Sequence, residues 1–272
     1  MWVDDLNDCF VQFCELRERI LAGKSVEGIK FMYPTTLVPL LPYIENGISI
    51  NPDVKGYVSS ISKSVNPNSG FALDRIKKHD KFSSKMDCMI DELSTGHDKN
   101  TLQYFFTELY ANIHDHSGFT NAFAMAQTYR RKKFVEFCLY DDGITIPGSL
   151  KNYDDTFKSL EDCELINRAL NGESSKSKEK SRGFGINSSA QVIVDGYGGE
   201  LFIASMDGSI HIKPGDKDPT LYVHDNNEHF RTNGTLVGLR IPQLDEKVSC
   251  FPFLETKRPF TRNSETKRPF TD

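Results

Sequence analysis

The residues with chemical potential fall in a few short stretches. In 108–116 (ELYANIHDH), Glu108, Asn112 and His116 stand at i, i+4 and i+8, which puts them on one helix face. A carboxylate and an amide one turn apart suit hydrolysis or phosphoryl transfer. The carboxylate can orient or deprotonate a nucleophile, and the amide oxygen can ligate Mg²⁺. Phe105, Leu109 and Ile113 lie on the other side and can anchor that helix in a core. Taken alone, the same spacing also describes an ordinary solvated helix face.

In 135–147 (VEFCLYDDGITIP), an alternating strand runs straight into Asp-Asp-Gly. A carboxylate at a strand end can accept a hydrogen bond from an adenine amino group, and the glycine lets backbone approach the ring. In 181–205 (SRGFGINSSAQVIVDGYGGELFIAS), Gly183 and Gly185 precede a helical pattern. Backbone N–H groups at such a start can hold phosphate oxygens. Lys176, Lys178, Lys180 and Arg182 lie where they could neutralise a triphosphate. Finally, 233–242 (NGTLVGLRIP) opens a strand with Gly-Thr, which sets a hydroxyl at its start. Each signal by itself also fits a plain turn, loop or strand.

Their order along the chain resembles the ATP-binding domain shared by DNA gyrase, heat-shock chaperones, histidine kinases and the MutL proteins (GHKL), from Leu102 to Pro242. ELYANIHDH resembles the N box, DDGITIP the first glycine box, RGFG the second and NGT the last motif. The resemblance implies a Bergerat-type α/β sandwich, a mixed and mostly antiparallel sheet covered on one face by helices. It implies Glu108 as general base or water-positioning carboxylate and Asn112 as Mg²⁺ ligand. Asp141 would bind the adenine amino group, beside Gly143 and assisted by Thr235. Gly183 and Gly185 would wrap the phosphates, with Lys176 and Arg182 as lid residues. The family pattern Asp-x-Gly-x-Gly is broken here, because Thr145 replaces the second glycine. The choice of Asp141 over Asp142 rests on the register with Gly143 and Ile146–Pro147.

The elements that must position these residues are readable from periodicity. Trp2, Leu6, Phe10, Phe13, Leu16 and Ile20 predict an amphipathic helix over 1–22, stopped by Gly23. It packs on its own domain or on a second copy, which leaves room for a homodimer. Residues 27–51 read as a small βαβ in which Thr35 and Thr36 cap a helix, and they faintly resemble STAS modules. The turn-rich 63–70 marks a module boundary. Helices are expected at 83–94, 100–115, 162–170 and 186–197, and strands at 122–129, 133–140, 200–205, 208–213, 220–225 and 235–242. The chain therefore divides into an N-terminal α/β module at 1–80, the ATP-binding domain at 83–245 and a tail at 246–272. The tail repeats ETKRPFT at 255–261 and 265–271, and its composition predicts an extended or disordered segment.

Composition bounds the function. Hydrophobic residues make up 38% of the 272, with 19 Phe and 10 Tyr, enough for a core. The net charge of −5 argues against general binding to DNA. No apolar run approaches the roughly 20 residues that span a bilayer. Six scattered cysteines without a C-x-x-C pair predict reduced thiols in a cytoplasmic protein. The expectation is an Mg²⁺-dependent, ATP-binding regulatory protein that hydrolyses ATP or phosphorylates a protein partner. The alternative is an ATP-gated interaction switch with little or no turnover. His79 and His97 are poor phospho-acceptors in their sequence contexts, so an acceptor on another protein is expected.

Overall fold

The computed structural model describes residues 5–24, 31–45, 56, 58, 71–77, 84–94, 97–114, 118–173, 187, 190–215, 219–225, 229–243 and 260. Its centre is one seven-stranded sheet. The strands are β1 (Phe71–Ile76), β2 (Ala122–Tyr129), β3 (Phe134–Asp141), β4 (Glu200–Met206), β5 (Gly208–Lys213), β6 (Thr220–Asp225) and β7 (Thr232–Pro242). They lie in the order β1-β2-β3-β7-β4-β5-β6. Every described pairing is antiparallel, so the mixed sheet expected from the resemblance is replaced by a uniform one. The last strand, β7, inserts between β3 and β4, and so brings the Asn-Gly-Thr opening beside the Asp-Asp-Gly end.

Period-two alternation divides the side chains between two faces. Val135, Phe137 and Leu139 share one face with Ala122, Ala124, Leu201, Ile203, Val237 and Leu239. This face is packed by α4 (Ser84–Leu93), α5 (Lys99–Asn112), α7 (Asp162–Leu170) and a π-helical turn at Val192–Gly196. The other face presents Phe123, Met125, Cys138, Tyr140, Phe202, Ala204 and Leu236. It is covered too, by α1 (Leu6–Leu21), α2 (Pro34–Leu37), a 3₁₀ turn (Val38–Leu40) and α3 (Leu41–Glu45). The expectation of helices on one face is thus corrected: both faces are apolar, and each must be shielded from water.

Helix α1 starts with a capping box. The Asp5 carboxylate accepts from the Asp8 N–H at 3.0 Å, and the Asp8 carboxylate accepts from the Asp5 N–H at 3.4 Å. Leu6, Phe10, Phe13, Leu16 and Ile20 are all buried, as the periodicity predicted, and they pack within this chain on the sheet. The described N-terminal helices have no core apart from the one they share with the sheet.

No strand occurs among residues 31–45, which hold the end of the first strand and the helix expected of the βαβ; 27–30 and 46–51, with the rest of it, lie outside the described residues. Pro34 takes the first helical position and Tyr33 the cap, so neither threonine caps. Thr35 and Thr36 are instead fully buried. The Thr36 hydroxyl donates to the Cys9 carbonyl at 3.0 Å. The close approach of α2 to the sheet depends on Gly238, where a Cβ would stand 2.9 Å from Thr35 Oγ1.

The edge strand β1, the helix α6 (Ile146–Tyr153) and a 3₁₀ turn at Asp155–Ser159 escaped the sequence reading. Of the tail, only Phe260 is described, and it is buried.

Candidate functional site

At one end of the sheet, four polar or small residues stand side by side. Asp141 on β3 pairs with Thr235 on β7, and Thr235 pairs in turn with Ser205 on β4. On its other side Asp141 faces Ala122 on β2. By alternation from Leu139 and Val237, Asp141 and Thr235 point to the face that carries α5. The Ser205 and Thr235 hydroxyls lie 3.0 Å apart. Ser205 Oγ also accepts from the Ile146 N–H at 3.1 Å, which ties β4 to the start of α6.

The two adjacent carboxylates have different work. Asp142 Oδ1 accepts from the N–H groups of Thr120 and Asn121, each at 2.7 Å, and its Oδ2 accepts from Asn121 Nδ2 at 2.7 Å. It is consumed in holding the segment that enters β2. Asp141 is 3% exposed and accepts from the Gly143 N–H at 3.0 Å, which folds the chain back over the strand end. Gly234 is forced by crowding here, since a Cβ would lie 1.8 Å from the Asp141 carbonyl oxygen.

Thr145, the residue that departs from the family pattern, has a local explanation. It is the N-cap of α6, and its Oγ1 accepts from the Gly148 N–H at 3.0 Å. Pro147 follows in the first turn, where its missing N–H costs nothing. The base of this region is braced by Asp162 at the start of α7, which binds Lys151 Nζ at 2.6 Å and the Asp207 N–H at 3.2 Å.

Glu108 and Asn112 are half-buried on the last turns of α5, while Phe105, Leu109 and Ile113 of the same helix are buried in the core. The fold therefore makes Asp141, Gly143 and Thr235 neighbours, and it lays the helix bearing Glu108 and Asn112 over the same sheet face. Lys176, Arg182, Gly183, Gly185 and His116 lie outside the described residues. Ser205 was not singled out in the sequence; its one signal was a hydroxyl inside an apolar strand.

A different cleft, of about 380 Å³, opens at the opposite end of the sheet among Lys132, Lys213, Glu200 and Arg240. None of the residues expected to bind nucleotide lines it.

His97 is 1% exposed, and its ring packs 4.3 Å from that of Tyr197. Its Nε2 lies 2.7 Å from the Pro242 carbonyl, so Nε2–H donates to that oxygen. No phospho-accepting role suits a ring so enclosed. Burial lowers its pKa against the opposing pull of the Pro242 carbonyl. The unfolded chain thus binds this proton more readily than the native one. Stability from this group is complete above about pH 6.5 and is lost as pH falls through the lowered native value. Thermal melts between pH 7 and pH 5 should show a shallower acid-side decline for His97→Gln than for the unmodified chain.

Among the described residues, no helix is long and apolar enough to cross a membrane. Compared with protein-family models and with curated proteins, the chain matches none.

Proposed function

We propose that the chain is an Mg²⁺-dependent ATP-binding regulatory protein of the GHKL type, which transfers a phosphoryl group to a protein partner or hydrolyses ATP. One observation carries the reading. Asp141 and Thr235, chosen from distant motifs as the two adenine-side residues, are cross-strand neighbours on the face beneath the helix of Glu108 and Asn112. The consumption of Asp142 in a structural role supports Asp141 as the ligand-facing carboxylate. The buried thiols of Cys9, Cys14, Cys138 and Cys163, none of them in a disulfide, fit a cytoplasmic setting, which belongs to the same proposal.

In this reading Asp141 accepts from the exocyclic amine of the purine. The Thr235 hydroxyl, already linked to Ser205, completes the polar edge on which that ring rests. Glu108 orients the attacking water or acceptor hydroxyl and takes its proton. Asn112 offers its amide oxygen to Mg²⁺, which when bound offsets the charge of the phosphates.

Isothermal titration tests this directly. ADP and a non-hydrolysable ATP analogue should both release heat on binding, more strongly with Mg²⁺ present. Glu108→Ala should keep that binding and lose turnover by about 10²–10⁴-fold. Heat from neither nucleotide would contradict the assignment. If Glu108→Ala loses turnover yet keeps its biological output, the nucleotide acts as a switch on partner binding and catalysis is incidental.

A further inference from the structure

The tail residue Phe260 has a built seat. The residue is 6% exposed and belongs to the apolar cluster on the α5 face of the sheet. Its backbone is held by one side chain, that of Asn171, the residue that caps the C-terminal end of α7. The Phe260 N–H donates to Asn171 Oδ1 at 3.0 Å, and Asn171 Nδ2 donates to the Phe260 carbonyl at 3.4 Å. The amide is kept in this orientation from behind, because Nδ2 also donates to the Asn167 carbonyl at 3.0 Å. Asn171 thus imitates the edge of a strand towards one residue of peptide.

Such a seat reads two things, an aromatic side chain and the free N–H and C=O of the same residue. The tail offers both twice. ETKRPFT at 255–261 contains Phe260, and the identical ETKRPFT at 265–271 contains Phe270. Nothing in the contacts to Asn171 distinguishes one copy from the other, since they involve main-chain atoms alone.

We propose that the pocket at Asn171 is a peptide-binding site for the Pro-Phe-Thr motif, and that the two repeats are interchangeable ligands competing for it within one chain. Both copies are tethered through Gln243, so intramolecular exchange outcompetes capture by another molecule at ordinary protein concentrations. Loop closure becomes less favourable only logarithmically with length. Moving the ligand ten residues further from Gln243 therefore disfavours the second copy by about twofold. Removing the nearer copy should then lower the equilibrium constant for seating about threefold, and removing the farther one about 1.5-fold, while the remaining copy still keeps the seat filled. Removing both abolishes it. The inference does not depend on nucleotide binding.

The test uses the full-length ¹⁵N-labelled chain and follows the Asn171 side-chain amide, identified by its loss in Asn171→Ala. In Phe260→Ala and in Phe270→Ala the amide resonance should stay at its seated position. In the double variant it should move, with a fall in Tm of roughly 5–10 °C. Free ETKRPFT peptide added to the double variant should return the resonance, and the same peptide with Ala for Phe should not. A second arm alters no tail residue. Spin-labelled ETKRPFT at about millimolar concentration, comparable to a tethered copy, should broaden the Asn171 amide of the unmodified chain. The proposal is overturned if Phe260→Ala alone shifts the amide as far as the double variant does. It is equally overturned if the double variant shifts nothing, or if the peptide neither restores nor broadens the signal.

Discussion

Asp141→Asn is expected to weaken ADP binding by about 100-fold, near 2.7 kcal/mol, without a matching loss of fold stability. Asparagine is nearly isosteric, and its Oδ1 can still accept from the Gly143 N–H that closes the turn. What it cannot do is accept with both heads. One carboxylate oxygen becomes an N–H₂ group that faces the purine amine donor to donor. Hydrogen bonds to a charged acceptor contribute about 1.5–3 kcal/mol, and replacing attraction by an unpaired buried donor brings the loss to the upper part of that range. Asp142→Asn supplies the contrast. That carboxylate already receives three N–H donors from Thr120 and Asn121, so its loss should loosen the entry to β2 and lower Tm while leaving ADP affinity within a few-fold. Calorimetry and thermal melts on the two variants separate the roles. The reverse pattern, affinity lost with Asp142→Asn and kept with Asp141→Asn, would move the site by one residue.

The second large effect lies on the opposite face. Glu136 is wholly buried, and its Oε2 accepts from Arg240 Nη2 at 2.9 Å and Nε at 3.2 Å. Its Oε1 accepts from the Thr35 N–H at 3.0 Å, which pins α2 to the sheet. The Arg240 guanidinium lies 4.6 Å from the Phe134 ring centroid, a cation–π contact that helps replace lost water. Arg240→Met leaves Glu136 without its cation and should destabilise the fold by about 3–5 kcal/mol, read as a lowered urea midpoint. The double variant Glu136→Leu/Arg240→Met should recover most of that loss, because two charges are then removed from the interior together.

The pH dependence of this effect has a definite sign. Burial raises the Glu136 pKa even against Arg240, and removing Arg240 lets burial raise it further. A carboxyl with a raised native pKa adds stability below its unfolded value and loses it as pH climbs through the native one. The deficit of Arg240→Met relative to the unmodified chain should therefore be largest near neutrality and should shrink as pH falls towards the ordinary carboxylate range. A deficit that stays constant down to that range would mean the lost energy is packing against Phe134 and Tyr33, with little part for the charge.

Much of the molecule follows from local pattern. The alternation in 122–129, 200–205, 208–213 and 220–225 marked the strands to within a residue or so, because a half-buried strand must present apolar groups every second position. The amphipathic spacing of α1 and the apolar side of α5 were equally legible, as was the turn that stops α1 at Gly23 with φ +64°. Helix α6 was not, because its start reads as the end of a glycine turn. The cap that defines it is a single Thr145 hydroxyl, interpreted in the sequence as a missing glycine.

The sequence by itself determined which polar residues stand near one another along the chain, the face each strand shows and the order of the motifs. Local sterics and burial set those properties, and they act over a few residues at a time. Tertiary structure alone decided that β7 threads between β3 and β4, that the N-terminal helices close the second face, and that Phe260 returns to Asn171. Each of these joins segments far apart in the chain. Each is selected by the competition among all apolar surfaces for cover and among buried polar groups for partners, a balance that no short stretch of residues contains.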